Sequence, residues 1–393
     1  INYLRDNYPE DFNDYIESSE YIALVDLIAY LGQNLAFRID LNARENFLEL
    51  AERRESILRL ARLVNYTPKR NIGASGLLKI SSVSSTEDII DTNNNNLRDQ
   101  TIIWNDPTNS NWYEQFIKIL NRAFTETENF GKPVQKDTID NVITERYRIR
   151  TSSATSVPIF PFTRFIDGNN IKCEIVSTIL NQNIIEEPPL PGNNFSILYR
   201  NDSQGAGSSS TGFFVLFKQG TLDQGTFNIT NAVPNQIVSI DAANINNDDV
   251  WLYSLNTDLT FDKLWTKVDA IEGNNIIYNS LNKNVRDIYT VLTRLDDKIS
   301  FVFSDGVFGN LPVGSFQTYF RASRNDNIVI KPRDLTGVSI SVPYTSVVGK
   351  EETLNFTFEL LYTVDNAVPA ESNASIKQNA PATYYTQNRL ITA

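Results

Sequence analysis

The apolar residues change rhythm near residue 70, and that change constrains the fold more than any single motif does. Before it, Leu24, Leu27, Ile28, Leu31 and Leu35 recur at spacings of three and four, which lines them along one face of a helix. A second run follows, with Phe47, Leu48, Ala51, Leu58, Ala61 and Leu63 as its apolar side. Asn42 with Glu45 three residues on has the spacing of a capping box. Glu49 and Arg53, and Glu55 and Arg59, are acid-first pairs at i,i+4, and Thr67-Pro68 stops the helix. Two such helices make a hairpin whose apolar stripes so short a segment hardly buries alone.

From Gly76 the pattern is that of strands. Short β-rich runs bounded by Gly, Pro, Asn and Asp predict strands over 76–82, 144–150, 171–177, 194–199, 212–217 and 235–241. More are predicted over 249–253, 288–293, 298–303, 316–322, 338–342 and 354–362, with one helix over 112–124. From Ala370 the chain reads as a short helix ended by Pro381, then an extended tail. No segment repeats at a fixed period. The expected class is α+β: an N-terminal helical hairpin, bundle-forming, then mostly antiparallel β domains with small helical inserts. The expected divisions are 1–70 for the hairpin, 71–200 and 201–345 for two β-rich domains, and 346–393 for a last strand, short helix and tail.

Composition removes whole classes of function. Lys plus Arg number 35 and Asp plus Glu 47 in 393 residues, a formal net charge of −12. Such a surface repels phosphate, which argues against nucleic acid and against anionic membranes as partners. Histidine is absent, so Ser-His and Cys-His catalysis and His-ligated zinc are excluded. Cys173 is a single cysteine and forms no internal disulfide, consistent with synthesis in a reducing cytosol. The longest apolar stretch, Tyr21 to Leu31, is short and broken by Asp26, so no membrane span is expected. No signal peptide is read at the start. With Ile1 first and no Met anywhere, the sequence is expected to be part of a longer polypeptide.

Candidate chemistry is sparse. Gly207 to Gly212 has the outer spacing of a phosphate loop, but Phe213 and Phe214 stand where Lys and Ser or Thr are required, so a flexible loop is expected. Asp241, Asn244, Asn246, Asp248 and Asp249 are rich in oxygen, yet they lack the central Gly of a calcium loop and read as a turn. Glu186, Glu187 and Asp305 are the carboxylates a glycosidase would draw on, without a distinctive motif around them. The Asn-X-Ser/Thr triplets at Asn65, Asn201, Asn228 and Asn355 are those an Asn-rich chain produces by chance. The segment from Phe303 to Gly314 is more informative. Asp305-Gly306 is a turn pair, Gly309 relieves a second tight place, and Pro312 with Gly314 ends the loop before a strand. These five residues are assigned to fold. No catalytic, cofactor-binding or metal residue is expected.

Long stretches of the chain resemble a known family. The opening NYLRDNYPEDFNDY, then LIAYLGQNLAFRIDLNARENF and AERRESILRLARLVNYTPKRNIGASGLLKI, closely resemble the baseplate wedge subunits of T-even-like contractile-tailed bacteriophages. GFFVLFKQGTL, FSDGVFGNLPVGSF and the closing NAPATYYTQNRLITA agree, and the last two are also similar to the wider baseplate J-like family. The chain ends at Ile391-Thr392-Ala393, where members of the family continue, so a C-terminal part is expected to be missing. The resemblance implies a structural, non-enzymatic component of the virion tail baseplate, made in the host bacterial cytoplasm. Its implied partners are other wedge proteins, a second copy of itself, neighbouring wedges, and proteins near the tail tube, sheath and hub. In that family the wedges form a ring around the central hub that changes shape on contraction, and the N-terminal helices enter an intersubunit bundle. The stripe itself admits either partner helices or the chain's own β domain as its cover; the resemblance implies partner helices. The residues expected at that contact are Leu24, Leu27, Ile28, Leu31, Leu35, Leu58 and Ala61. The rival readings are a receptor- or glycan-binding tail protein and a polysaccharide-degrading tail enzyme that depends on two carboxylates.

Overall fold

The computed structural model describes residues 7, 20–64, 66–125, 132–153, 155–192, 194–268, 285–307 and 309–386. The expected tail beyond residue 386 and most of the opening segment lie outside these. Helices α1 (Glu20–Arg44), α2 (Arg54–Leu63), α3 (Trp112–Ala123) and α4 (Asn373–Thr386) flank or interrupt a long, mostly antiparallel β region, as the change of rhythm predicts. The chain divides into two units, residues 1–68 with 371–393, and residues 69–370.

The first unit joins both ends of the chain. Ile57, Leu58 and Ala61 share one side of α2 and pack with Ala51 against Ile376 and Ala380 of α4. Polar bonds hold this pairing together. The Tyr66 hydroxyl donates to the Glu371 carboxylate at 2.7 Å, and Arg54 Nη1 donates to the Glu371 carbonyl at 2.8 Å. Four expectations change here. Asn42 lies inside α1, so Asn42 and Glu45 are no capping box; the Glu45 carboxylate instead accepts the Glu52 and Arg53 amides at 3.0 and 3.2 Å, at the entry to α2. A hydrogen bond from Ser56, and then these amides, hold its pKa below the usual range. Leu63 is 77% exposed because α2 ends there, facing away from α4. Glu49 precedes α2, which leaves Glu55 and Arg59 (3.6 Å, exposed) as the helical pair. Finally, α4 runs through Pro381. The proline removes one backbone donor, while Ile376 and Ala380 on the buried side keep the helix in place.

The second unit is built from strands. In chain order these are β1 (Ser75–Ser85), β2 (Ile102–Ile103), β3 (Gln135–Ile139), β4 (Val142–Arg150), β5 (Phe160–Ile166) and β6 (Asn169–Val176). Then come β7 (Thr178–Asn181), β8 (Asn183–Glu186), β9 (Asn194–Asn201), β10 (Gly212–Gln219), β11 (Thr221–Ile229), β12 (Ile237–Ile240) and β13 (Ile245–Leu255). The series closes with β14 (Phe261–Leu264), β15 (Thr266–Lys267), β16 (Ile288–Thr293), β17 (Ile299–Phe303), β18 (Gly314–Ala322), β19 (Val338–Thr345) and β20 (Glu351–Leu360).

The largest sheet has the order β19-β20-β1-β10-β9-β4-β3, with β2 beside β1 and β5 and β6 reached through β10. Its register crosses the expected division at residue 200: Gly212 pairs with Arg200 and Phe214 with Leu198. It also crosses the one at 345, since β1 pairs with β20 from Leu78–Leu360 to Ser85–Leu354. Side chains alternate across a strand, so Phe213, Val215 and Phe217 join Leu78, Ile80, Phe195, Ile197, Phe356 and Phe358 on one face. Phe116, Ile119, Leu120 and Ala123, at i, i+3, i+4 and i+7 of α3, cover that face. On the other face Leu198 and Phe214 pack with Ile139 and with Leu180 of the β7–β8 hairpin. A second core lies between two four-stranded sheets, β11-β18-β13-β14 and β12-β17-β16-β15, filled by Leu252, Trp265, Tyr289, Phe301, Phe303 and Phe316 among others.

Candidate partner interface

Helix α1 carries an apolar face that stays exposed among the described residues. Leu24, Leu27, Ile28, Leu31 and Leu35 are between 55% and 64% exposed, and none of them belongs to the buried cluster of their unit. Sequence periodicity finds these five and misses three more. Ile39, four residues after Leu35, extends the same face; Tyr30 and Phe37, seven apart, line another flank, and all three are exposed. Asp26, Gln33, Asp40 and Arg44 recur at spacings of seven and four on the remaining side, where Asp40 and Arg44 pair at 3.1 Å. Completing the burial of the five predicted residues is worth on the order of 5 kcal/mol. A contiguous exposed patch of this kind marks an interaction surface.

The other two predicted contact residues do not share that surface. Leu58 is 4% exposed and Ala61 fully buried, both against Ile376 and Ala380 of the same chain. They therefore leave the set of partner contacts. Their cover comes from the far end of the sequence, where a local reading has no access.

The loop before β18 ties the second core together. The Asp305 carboxylate accepts the Val307 amide at 2.8 Å, and Gly306 sits at φ +87 where a side chain is disfavoured. A Cβ on Gly309 would stand 2.8 Å from the Arg286 carbonyl oxygen, from Ile288 Cγ1 and from Ser304 Cβ. Pro312 is buried, and Gly314, at φ +102, opens β18. The Asn310 amide donates to the Arg286 carbonyl and its side chain to Asp287, both at 2.8 Å, so the loop is fastened to the entry of β16.

The remaining candidates resolve into structural bonds. Gly207 to Gly212 is a hydrogen-bonded loop: the Asp202 carboxylate accepts from Ser208 Oγ, from Thr211 Oγ1 at 2.7 Å and from the Gln204 amide at 2.9 Å. These bonds, Ser208 first, hold Asp202 down to about 2. The five residues Asp241, Asn244, Asn246, Asp248 and Asp249 do not converge on one point. Asp241 pairs with Arg294 at 3.3 Å, whereas Asn246 and Asp249 are buried and bonded to each other at 2.9 Å. The expected turn holds only for the start of the segment: Asp241 to Asn244 bend into β13 with Asn244 at φ +54, while Asn246 to Asp249 lie in a bulged strand whose register with β18 shifts between Ile245 and Val250. Glu187 accepts from Arg146 at 2.7 Å and Ser177 at 2.8 Å.

Glu186 belongs to a buried ionic cluster that no local pattern reveals. Arg321 of β18, fully buried, grips its carboxylate with two bonds at 2.7 and 2.9 Å and reaches Glu174 of β6 at 3.1 Å. Lys218 of β10 pairs with Glu186 at 3.1 Å and with Asp249 of β13. Burial raises the pKa of Glu174. Burial opposes the charge on Arg321 as well, but Glu186, Asp249 and Glu174 together outweigh it and the guanidinium is held more firmly protonated than usual. The cluster links strands of the large sheet to strands of the second core.

A family model described as a domain of unknown function (DUF8360) matches residues 76–363, nearly all of the β region. The chain belongs to this family. A second model, the N-terminal domain of bacteriophage baseplate proteins, matches residues 4–63, which include all of α1 and α2. That match supports a structural protein of the phage tail baseplate that works among other baseplate proteins. Its boundary falls where the rhythm of the apolar residues changes, so the exposed α1 face lies wholly within the baseplate domain. No curated protein matches the chain. Among the described residues no helix is long and apolar enough to cross a membrane.

Proposed function

We propose that the chain is a wedge subunit in the baseplate of a contractile-tailed phage, and that it acts mechanically and not as an enzyme. The observation that carries this reading is the exposed apolar face of α1, from Leu24 through Leu35 to Ile39, inside the segment that matches the baseplate N-terminal domain. Apolar residues on two flanks of one helix call for neighbours on more than one side, as in a helical bundle shared between subunits. Helices from a second copy and from other wedge proteins would supply them. Tied together by the Asp305 to Gly314 loop and the Arg321 cluster, the β region would pass a change of contact geometry through the ring when the tail contracts.

Light scattering on the chain alone and mixed with the other wedge proteins tests this. A discrete complex containing this chain is the expected result. A monomer unchanged by those proteins would contradict the bundle and reopen the receptor-binding and carboxylate-enzyme readings.

A further inference from the structure

A cavity of about 220 Å³ opens on the face of the large sheet opposite α3, lined by Leu77, Arg200, Ser209, Phe214, Leu361 and Tyr362 among others. Arg200 of β9 pairs with Gly212 across the ladder, and its guanidinium lies over the Phe214 ring, 5.9 Å from the centroid. That group is poorly served by its surroundings. Its Nε is buried without a hydrogen-bond partner, and Nη2 meets the Ile139 carbonyl only at 3.5 Å. Asp140 acts on it from a distance and forms no ion pair with it among the described residues. An Arg presents five donors in a planar fork, and leaving a buried donor unmet is unfavourable.

The wall beside Arg200 is preformed. Lys79, 5% exposed, sends Nζ to the Ser208 carbonyl at 3.0 Å and so fastens the loop that bears Ser209 to the sheet. Ser209 Oγ and the Tyr362 hydroxyl lie 2.6 Å apart. One proton serves that bond, and the other remains available to an acceptor entering the cavity. Opposite these polar groups the lining is apolar.

We propose that this cavity is a binding socket for a carboxylate carried on a short apolar group, with the carboxylate on the Arg200 guanidinium and the apolar part against Phe214 and Leu361. A planar two-oxygen anion matches the guanidinium fork, and the apolar wall selects against a bare hydrated ion. At about 220 Å³ the space lies below that of a drug-sized ligand and admits one residue, not a polymer. Such chemistry occurs at a protein chain's C-terminus that ends in an apolar residue, and at an acidic side chain flanked by apolar ones. The socket shares no residue with the α1 face and stands whether or not the wedge reading holds.

The test titrates the full chain with N-acetyl-leucine, N-acetyl-leucinamide, the capped internal peptide acetyl-Leu-Glu-Leu-amide and inorganic phosphate, each followed by ligand-observed NMR. N-acetyl-leucine is expected to bind saturably, with the leucinamide weaker by about tenfold or more because the charged bond is lost. R200Q should weaken the acid by a similar factor and leave the amide unchanged. The acid–amide comparison on the wild-type chain needs no variant and so survives any folding defect in R200Q. Binding of the internal peptide as tight as that of N-acetyl-leucine assigns the socket to acidic side chains; tighter binding of N-acetyl-leucine assigns it to chain termini. Absence of saturable binding by either acid, equal binding of acid and amide, or phosphate competing as well as the acid would overturn the proposal.

Discussion

Replacing Arg321 with Met removes the cation that faces three buried carboxylates. Wild-type Arg321 holds Glu186 by two bonds at 2.7 and 2.9 Å, Glu174 at 3.1 Å and Asp249 at 3.8 Å, with Lys218 as the second cation. Taking out one partner of a buried ionic network leaves charge uncompensated, at a cost of about 3–5 kcal/mol. Without Arg321, Glu174, whose pKa burial already raises, loses the cation that offsets that burial and rises further above its unfolded value. Groups raised in this way stabilise the fold at low pH and lose that contribution as pH rises, so the deficit should be largest near pH 7 and shrink toward pH 4–5. R321M/E174Q should recover part of the loss, because the amide oxygen still accepts the Leu222 amide that Glu174 accepts at 2.9 Å. The assay is urea unfolding followed by far-UV circular dichroism at both pH values. An R321M stability within about 1 kcal/mol of wild type at pH 7, or a deficit that grows on acidification, would refute the reasoning.

Three further outcomes are expected. G309A should destabilise the β region by about 1–3 kcal/mol in the same urea assay, since the added methyl meets the Arg286 carbonyl and Ile288 at 2.8 Å. D202N should lower the thermal midpoint at neutral pH, with the difference vanishing as pH falls through 4 toward 2: a carboxyl held down to about 2 contributes only above its unfolded value near 3.9. I376A should cost the small helical unit about 2–5 kcal/mol, so that part of the helical signal melts earlier while the β signal keeps its midpoint.

Much of the fold is legible in local pattern. The helical stripe on α1, the α3 residues Phe116, Ile119, Leu120 and Ala123, and the alternation of Val338, Ile340 and Val342 along β19 all declare their faces through spacing alone. Spacing does not declare what covers a face. Leu27 and Leu58 have the same periodic signature, yet Leu27 is exposed and Leu58 is sealed by Ile376, more than 300 positions away. Division into domains fails for a related reason, because β1 takes its neighbours β10 and β20 from distant parts of the chain. The Glu45 carboxylate has the offset of a cap on one helix and serves the start of the next. Arg321, Lys218, Glu174, Glu186 and Asp249 each occupy an ordinary position in a β-rich run, and only the packing of five strands brings them together.

The central claim is that α1 joins other baseplate chains through its apolar face, and one comparison tests it most directly. Wild type and the L27D/L31D variant are each mixed with the wedge proteins, and the mass of the product is measured by light scattering. Both side chains are exposed, so the substitutions leave the described core untouched and the β circular-dichroism signal should persist. The account predicts a hetero-complex for wild type and a free chain for the variant. A variant that folds and assembles as wild type does would contradict it.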